Sequence, residues 1–142
     1  MLAPQILEFI KKERMCALTT ILLNGAPHAA ALHFSHQENP FEFFVQTTNK
    51  SKKVSGLLDG ETGKASMVIG FSEQEWLTFQ MDGNIKVVTD QNELTEIHKT
   101  HYAKHPDAEQ WKDDPETVFL KFIPTWWRFT DFNTKPETII EK

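Results

Sequence analysis

The chain has 142 residues, enough for one domain around a single core, and its 39% hydrophobic and 25% charged residues are an ordinary globular composition. At a net charge of −5 it lacks the basic face that nucleic-acid binding needs, and no apolar stretch approaches the roughly 20 residues required to cross a bilayer, so neither nucleic acid nor membrane is an expected partner. The single cysteine, Cys16, excludes an internal disulfide or a CxxC site, and its apolar surroundings MCALTTILL make it a buried thiol.

The N-terminal MLAPQILEFIKKER carries an acid ahead of its basic residues, the reverse of a secretory leader, so a cytoplasmic location is expected. Within it Ile6, Leu7, Phe9 and Ile10 recur at helical spacing, and Lys11, Lys12 and Arg14 suit the negative end of a helix dipole. Met15 to Leu23 reads as a strand, Asn24-Gly25 as a hairpin turn, and Pro27 to His36 as the returning strand. QENP turns the chain again into Phe41–Thr47, a third strand of strong β formers, so a three-strand meander is expected. The break DGETG precedes strands at Lys64–Phe71 and Glu75–Val88, the second of which Asp82-Gly83-Asn84 bends or turns back. Asp90 through Tyr102 reads as a helix, capped by Asp90 or Asn92 with Glu93 in a capping position. A polar connection HPDAEQWKDDPE leads to two closing strands, TVFLKFIP and WWRFTDF, and a polar tail. The sum is a single domain, 1–142, of mainly β (α+β) class: a small antiparallel barrel of six or seven strands with flanking helices.

Between the third strand and the DGETG break lies VQTTNKSKKVSGLL, three lysines and four hydroxyls in an acidic chain. Val54, Leu57 and Leu58 form the apolar stripe of a short helix over 51–60, capped by Thr48, Asn49 or Ser51. Lys52 and Lys53 then fall in its first turn, where each cation costs roughly 0.3–1 kcal/mol against the helix dipole. A docked anion such as a phosphate monoester removes that conflict, because lysines, hydroxyls and free N–H groups converge on it. A solvated basic turn accounts for the same residues equally well.

Other motifs carry less. GETGK lacks the spacer and the Ser/Thr of a phosphate loop. His98, His101 and His105 share a helix face that reads as solvent-exposed rather than metal-binding. His28, His33 and His36 are read on one strand, with His28 and His36 on one face and His33 on the other, as ordinary barrel residues. No serine sits in a nucleophile elbow, and no dedicated acid or base stands out, so no catalytic residue is assigned.

The order NGAPHAAALHF, FEFFVQTTNKSKKVSGLL, KASMVIGF, EWLTFQMDGNIKVVTD resembles the pyridoxamine 5′-phosphate oxidase-like family of FMN-binding split barrels over about residues 5–90. The resemblance implies a split β-barrel, FMN as cofactor, and a homodimer with the cofactor at the two-fold interface. It places Thr47 and Thr48 beside the ribityl phosphate, Ser51, Lys52 and Lys53 on the phosphate, and the backbone of Val45 and Gln46 under the flavin edge. Trp126 or Trp127 of a second subunit, with Trp127 preferred, would pack on the flavin ring. Where the true oxidase has Gln-x-Arg this chain has Thr78 and Gln80, and FTDFNTKPETIIEK lacks the Trp-x-Pro-x-Arg segment. The expectation is therefore a flavoprotein of the general-stress or uncharacterised branch, an FMN-dependent oxidoreductase acting by hydride transfer at flavin N5. A non-enzymatic flavin carrier or sensor, or a haem- or deazaflavin-binding barrel with a histidine axial ligand in the haem case, are the alternatives.

Overall fold

The computed structural model describes residues 2–58 and 60–142; Asp59, in the expected DGETG break, lies outside them. Helix α1 (Pro4–Lys12) begins with proline in its first turn, ends on Lys11 and Lys12, and buries Ile6, Phe9 and Ile10. Strands β1 (Met15–Ile21) and β2 (Pro27–His33) pair antiparallel around the Asn24-Gly25 turn, where Gly25 takes φ 85°. β3 (Ser35–Glu38), β4 (Phe41–Thr48), β5 (Gly63–Ile69), β6 (Leu77–Val87), β7 (Thr117–Asp131) and β8 (Thr138–Glu141) complete the sheet. Seven strands follow the order β2-β1-β5-β6-β7-β4-β3, every pair antiparallel, and β8 adds to β7. This is the expected small antiparallel barrel, curled and open along one seam.

The expected three-strand meander is corrected at Phe34. Pro27–His36 is two strands: β2 pairs with β1 at one edge of the sheet, and β3 pairs with β4 at the other. Phe34 is fully buried, its N–H donates to Arg14 O (3.2 Å), and its carbonyl accepts from His105 Nε2 (2.7 Å). His33 and His36 consequently stand on different strands rather than opposite faces of one.

The two closing strands are one. Pro124, which has no N–H to give a ladder, sits opposite Gly83 where the β6–β7 register shifts, so the strand runs through it. A Cβ on Gly83 would lie 2.2 Å from Ile123 O. Gly83→Ala is expected to destabilise the protein by about 2–3 kcal/mol, read as a lower urea midpoint at unchanged m-value. β4 covers β7 only from Thr117 to Phe122, and the tail residues of β8 fill the remaining edge opposite Arg128–Asp131.

Side chains alternate across β4 and β7. Phe43, Val45, Leu120 and Phe122 enter the main core with Ile6, Leu18, Ile69 and Phe79. Phe44 and Phe119 enter a second cluster with Val88, Ile97 and Tyr102. Helix α2 (Gln91–Lys104) supplies that second layer, and Asp90 caps it by accepting from the Glu93 N–H at 2.8 Å. Its buried Lys121 partner on β7 is bonded to Glu93, with Glu42 4.0 Å away. A 3₁₀ helix, Pro106–Trp111, leads back to β7 within the segment expected to be a polar connection. Among the described residues no helix is long and apolar enough to cross a membrane.

Candidate functional site

The basic stretch forms a single 3₁₀ turn, Lys52–Val54, preceded by Ser51, rather than a helix over 51–60. A 3₁₀ repeat is three residues, so Val54 and Leu57 face inward together while Leu58 is rotated out and 56% exposed. Ser51, not Thr48 or Asn49, is the capping residue, and its side chain makes no cap bond. So short a turn has little dipole, and the case for an anion shifts from helix electrostatics to the burial of a cation.

Lys53 is that cation. It is only 8% exposed, its backbone carbonyl is held by Thr20 Oγ1 (3.0 Å), and burial pushes its pKa down. Among the described residues its ammonium has no ion pair and no hydrogen bond, whereas Lys50 pairs with Glu116 at 2.8 Å. Lys52 beside it is exposed. Thr47 Oγ1 donates to Ser51 Oγ at 3.4 Å, joining the end of β4 to the turn, and Thr48 Oγ1 accepts from the Lys50 N–H at 3.3 Å.

The strand leading into this cluster has a free edge. β3 pairs with β4 only as far as Phe44, so Val45–Thr48 bond β7 on one side and no strand on the other. That edge opens onto a cavity of about 610 Å³, walled on the far side by Ala31, Leu32 and His33 of β2. Gln46, Thr47 and Thr48 line it, whereas Ser51, Lys52 and Lys53 do not. The Val45 side chain is in the core, so it can reach the cavity only through its backbone. The Gln46 side chain is committed elsewhere: Nε2 donates to Ala108 O (3.1 Å) and Oε1 accepts from Tyr102 OH (2.6 Å). Within its own chain Trp127 packs against Phe79 at 5.6 Å and does not line the cavity.

The histidines of α2 are not the solvent-facing row that their spacing predicts. His101 is 1% and His105 4% exposed, turned under β2 and β3, with His101 Nδ1 2.7 Å from Ser35 Oγ. The His105 ring lies 4.9 Å from His33 and 5.0 Å from His101, and its Nδ1 has no hydrogen-bond partner among the described residues. Among the described residues no group of His, Cys, Asp or Glu is placed to hold a metal. Cys16 is buried, as expected, and its thiol is pushed up to about 12. A second groove, about 820 Å³, runs between α2, the 106–111 helix and β7; its cations Lys99 and Lys112 are accompanied by Glu109 and Asp113. The Gln46–Tyr102 bond stands between the two cavities, and Thr117 borders both.

The open seam, with hydroxyls and a largely buried lysine near one end of an unpaired strand edge, marks the fold as a split β-barrel. The chain matches the family model for pyridoxamine 5′-phosphate oxidase over residues 2–131 and belongs to that family. No curated protein matches it. Among solved structures it resembles a Clostridium acetobutylicum protein related to general stress protein 26, of the pyridoxinephosphate oxidase family, at 14% identity and TM-score 0.70, covering 96% of this chain and 92% of that one. It resembles the haem storage protein HutZ from Vibrio cholerae at 15% identity and TM-score 0.66, covering 87% and 89%. A haem-binding protein from Mycobacterium smegmatis matches at 12% identity and TM-score 0.74, over 100% of this chain and 59% of that one. At these identities the likeness is one of fold.

Proposed function

We propose that the protein binds FMN in the seam between β2 and β4 and acts as a flavin-dependent oxidoreductase on a small molecule. The observation that carries this reading is Lys53, a largely buried residue whose ammonium has no ion pair among the described residues, in the turn that the Thr47–Ser51 contact joins to β4. Burial lowers the Lys53 pKa, and a bound phosphate would favour the charged ammonium through charge-assisted hydrogen bonds. The residues present fit the group: Ser51, Lys52 and Lys53 hold the phosphate, Thr47 and Thr48 the adjoining chain, and the free backbone edge of Val45 and Gln46 meets the ring.

The flavin, when bound, supplies two-electron chemistry at N5. The chain's own contribution is position: the Gln46 amide, fixed by Tyr102 and Ala108, holds that segment of β4 against the second layer. A homodimer would close the open side of the seam. The visible spectrum of the purified protein, followed by titration with FMN, tests the reading. A flavin spectrum or saturable FMN binding supports it, and absence of both overturns it.

Haem is the second reading, favoured by one observation: His33, an exposed imidazole, lines the same cavity. It predicts a Soret band in the purified protein and its loss in His33→Ala.

A further inference from the structure

From its position on the wall of the seam, we propose that Trp111 is the aromatic residue that covers the planar ring system of the ligand. This rests on the FMN reading and adds to it a ring contact that the chain supplies from its own 106–116 segment. That segment is a strap pinned at one end to β4 and at the other to the two residues that follow it. Near one end Ala108 O accepts from Gln46 Nε2 (3.1 Å); at the other Glu116 O accepts from the Asn49 N–H (2.8 Å) and its carboxylate pairs with Lys50 (2.8 Å). Trp111 lies between the two pins, at the end of the 3₁₀ helix, and borders the cavity together with Gln46, Thr47 and Thr48.

The other tryptophans have different surroundings. Trp127 packs on Phe79, Trp126 lies under Arg128, and Trp76 sits in the turn before β6 with no share in the seam. Trp111 is 50% exposed and, among the described residues, is within stacking range of no other ring. A large aromatic surface left uncovered beside a free strand edge is suited to a flat conjugated partner, and stacking adds to whatever the phosphate contributes. Asp114 and Glu116 border the same cavity, but Glu116 is neutralised by Lys50, and Asp114 Oδ1 accepts from the Glu116 N–H (2.8 Å). The strap therefore offers the ligand a ring surface rather than a second phosphate site.

The test is titration of wild-type, Trp111→Ala, Trp111→Phe and Lys53→Met proteins with FMN and with riboflavin, which keeps the ring and lacks the phosphate. Trp111→Ala is expected to weaken both ligands by roughly tenfold, and Trp111→Phe by less than about threefold. Lys53→Met is expected to weaken FMN and leave riboflavin unchanged. Thermal melts of the unliganded variants show whether folding is intact, and in Trp111→Phe most of the FMN-induced quenching of tryptophan fluorescence is expected to vanish. Wild-type protein that binds FMN while Trp111→Ala binds it equally well, or Trp111→Phe that keeps the full quench, overturns the assignment alone. Wild-type protein that binds neither ligand overturns the FMN reading and the assignment together.

Discussion

Replacing Lys52 and Lys53 together with glutamate is expected to abolish FMN binding, with any loss of stability arising at the largely buried position 53. A lysine about 4 Å from a phosphate oxygen is worth about 1 kcal/mol in water and about 4 kcal/mol near a protein surface, and reversal turns each attraction into repulsion. Two reversed pairs raise Kd by at least about a hundredfold. The two positions separate in their effect on the unliganded protein. Lys52 is exposed, so its replacement leaves stability within about 0.5 kcal/mol. The Lys53 residue is largely buried and, among the described residues, its ammonium has no ion pair, so Lys53→Met is expected to hold or raise the melting temperature even as it weakens FMN. Unchanged FMN affinity in the double mutant would refute the phosphate assignment. Strong destabilisation by Lys53→Met would show that the ammonium has a structural partner.

Lowering the pH from 7 to 4.5 is expected to remove a large share of the folding stability. Burial pushes His101 down to about 3, reinforced by nearby His105, His33 and Lys104; burial likewise pushes His36 down to about 4. Both values lie below the ordinary imidazole value near 6.5, so the unfolded chain takes up protons first as pH falls. The stability these neutral rings confer is complete above about pH 6.5. It declines below that until the native state itself protonates, near pH 4 for His36 and pH 3 for His101. For His101 alone the loss between pH 6.5 and 4.5 is about 2 kcal/mol, against a total of about 5–15 kcal/mol for a typical domain. His36, less deeply buried, adds in the same direction. Urea midpoints at the two pH values measure this, and His101→Gln should flatten the dependence. A wild-type midpoint that does not move would mean the imidazoles are solvated.

What the sequence discloses is what local chemistry determines. The Asn24-Gly25 turn, the Asp90 cap and the inward row of α1 follow from neighbouring residues, and each stands where the pattern predicts. The barrel class follows from several short strands with turns between them. The departures involve distant partners. Nothing near Phe34 announces that its strand changes edges, because the reason is a buried pocket formed with Arg14 and His105. Pro124 looks like a strand end until Gly83 is seen opposite it. The α2 histidines repeat at exposed-face spacing, yet β2 and β3 cover them. At the site, TTNKSKK was legible as a cluster of cations and hydroxyls, but which lysine is buried was not. Trp111 carried no signal within a polar segment; only the fold brings it to β4.

The change of edge at Phe34 has a mechanical corollary. The seam's two walls, β2 and the β3–β4 hairpin, are joined through that one residue. Its ring is buried beneath the Lys104 ammonium at 4.0 Å, and its backbone is tied to Arg14 and His105. A pivot held by its ring, N–H and carbonyl resists swinging, so the two walls are expected to keep their spacing, like callipers stiff at the hinge. A flat ligand of matching thickness would then enter a slot already made and spend little of its affinity on reorganisation. Its arrival should leave the backbone of β2 and β4 nearly unmoved.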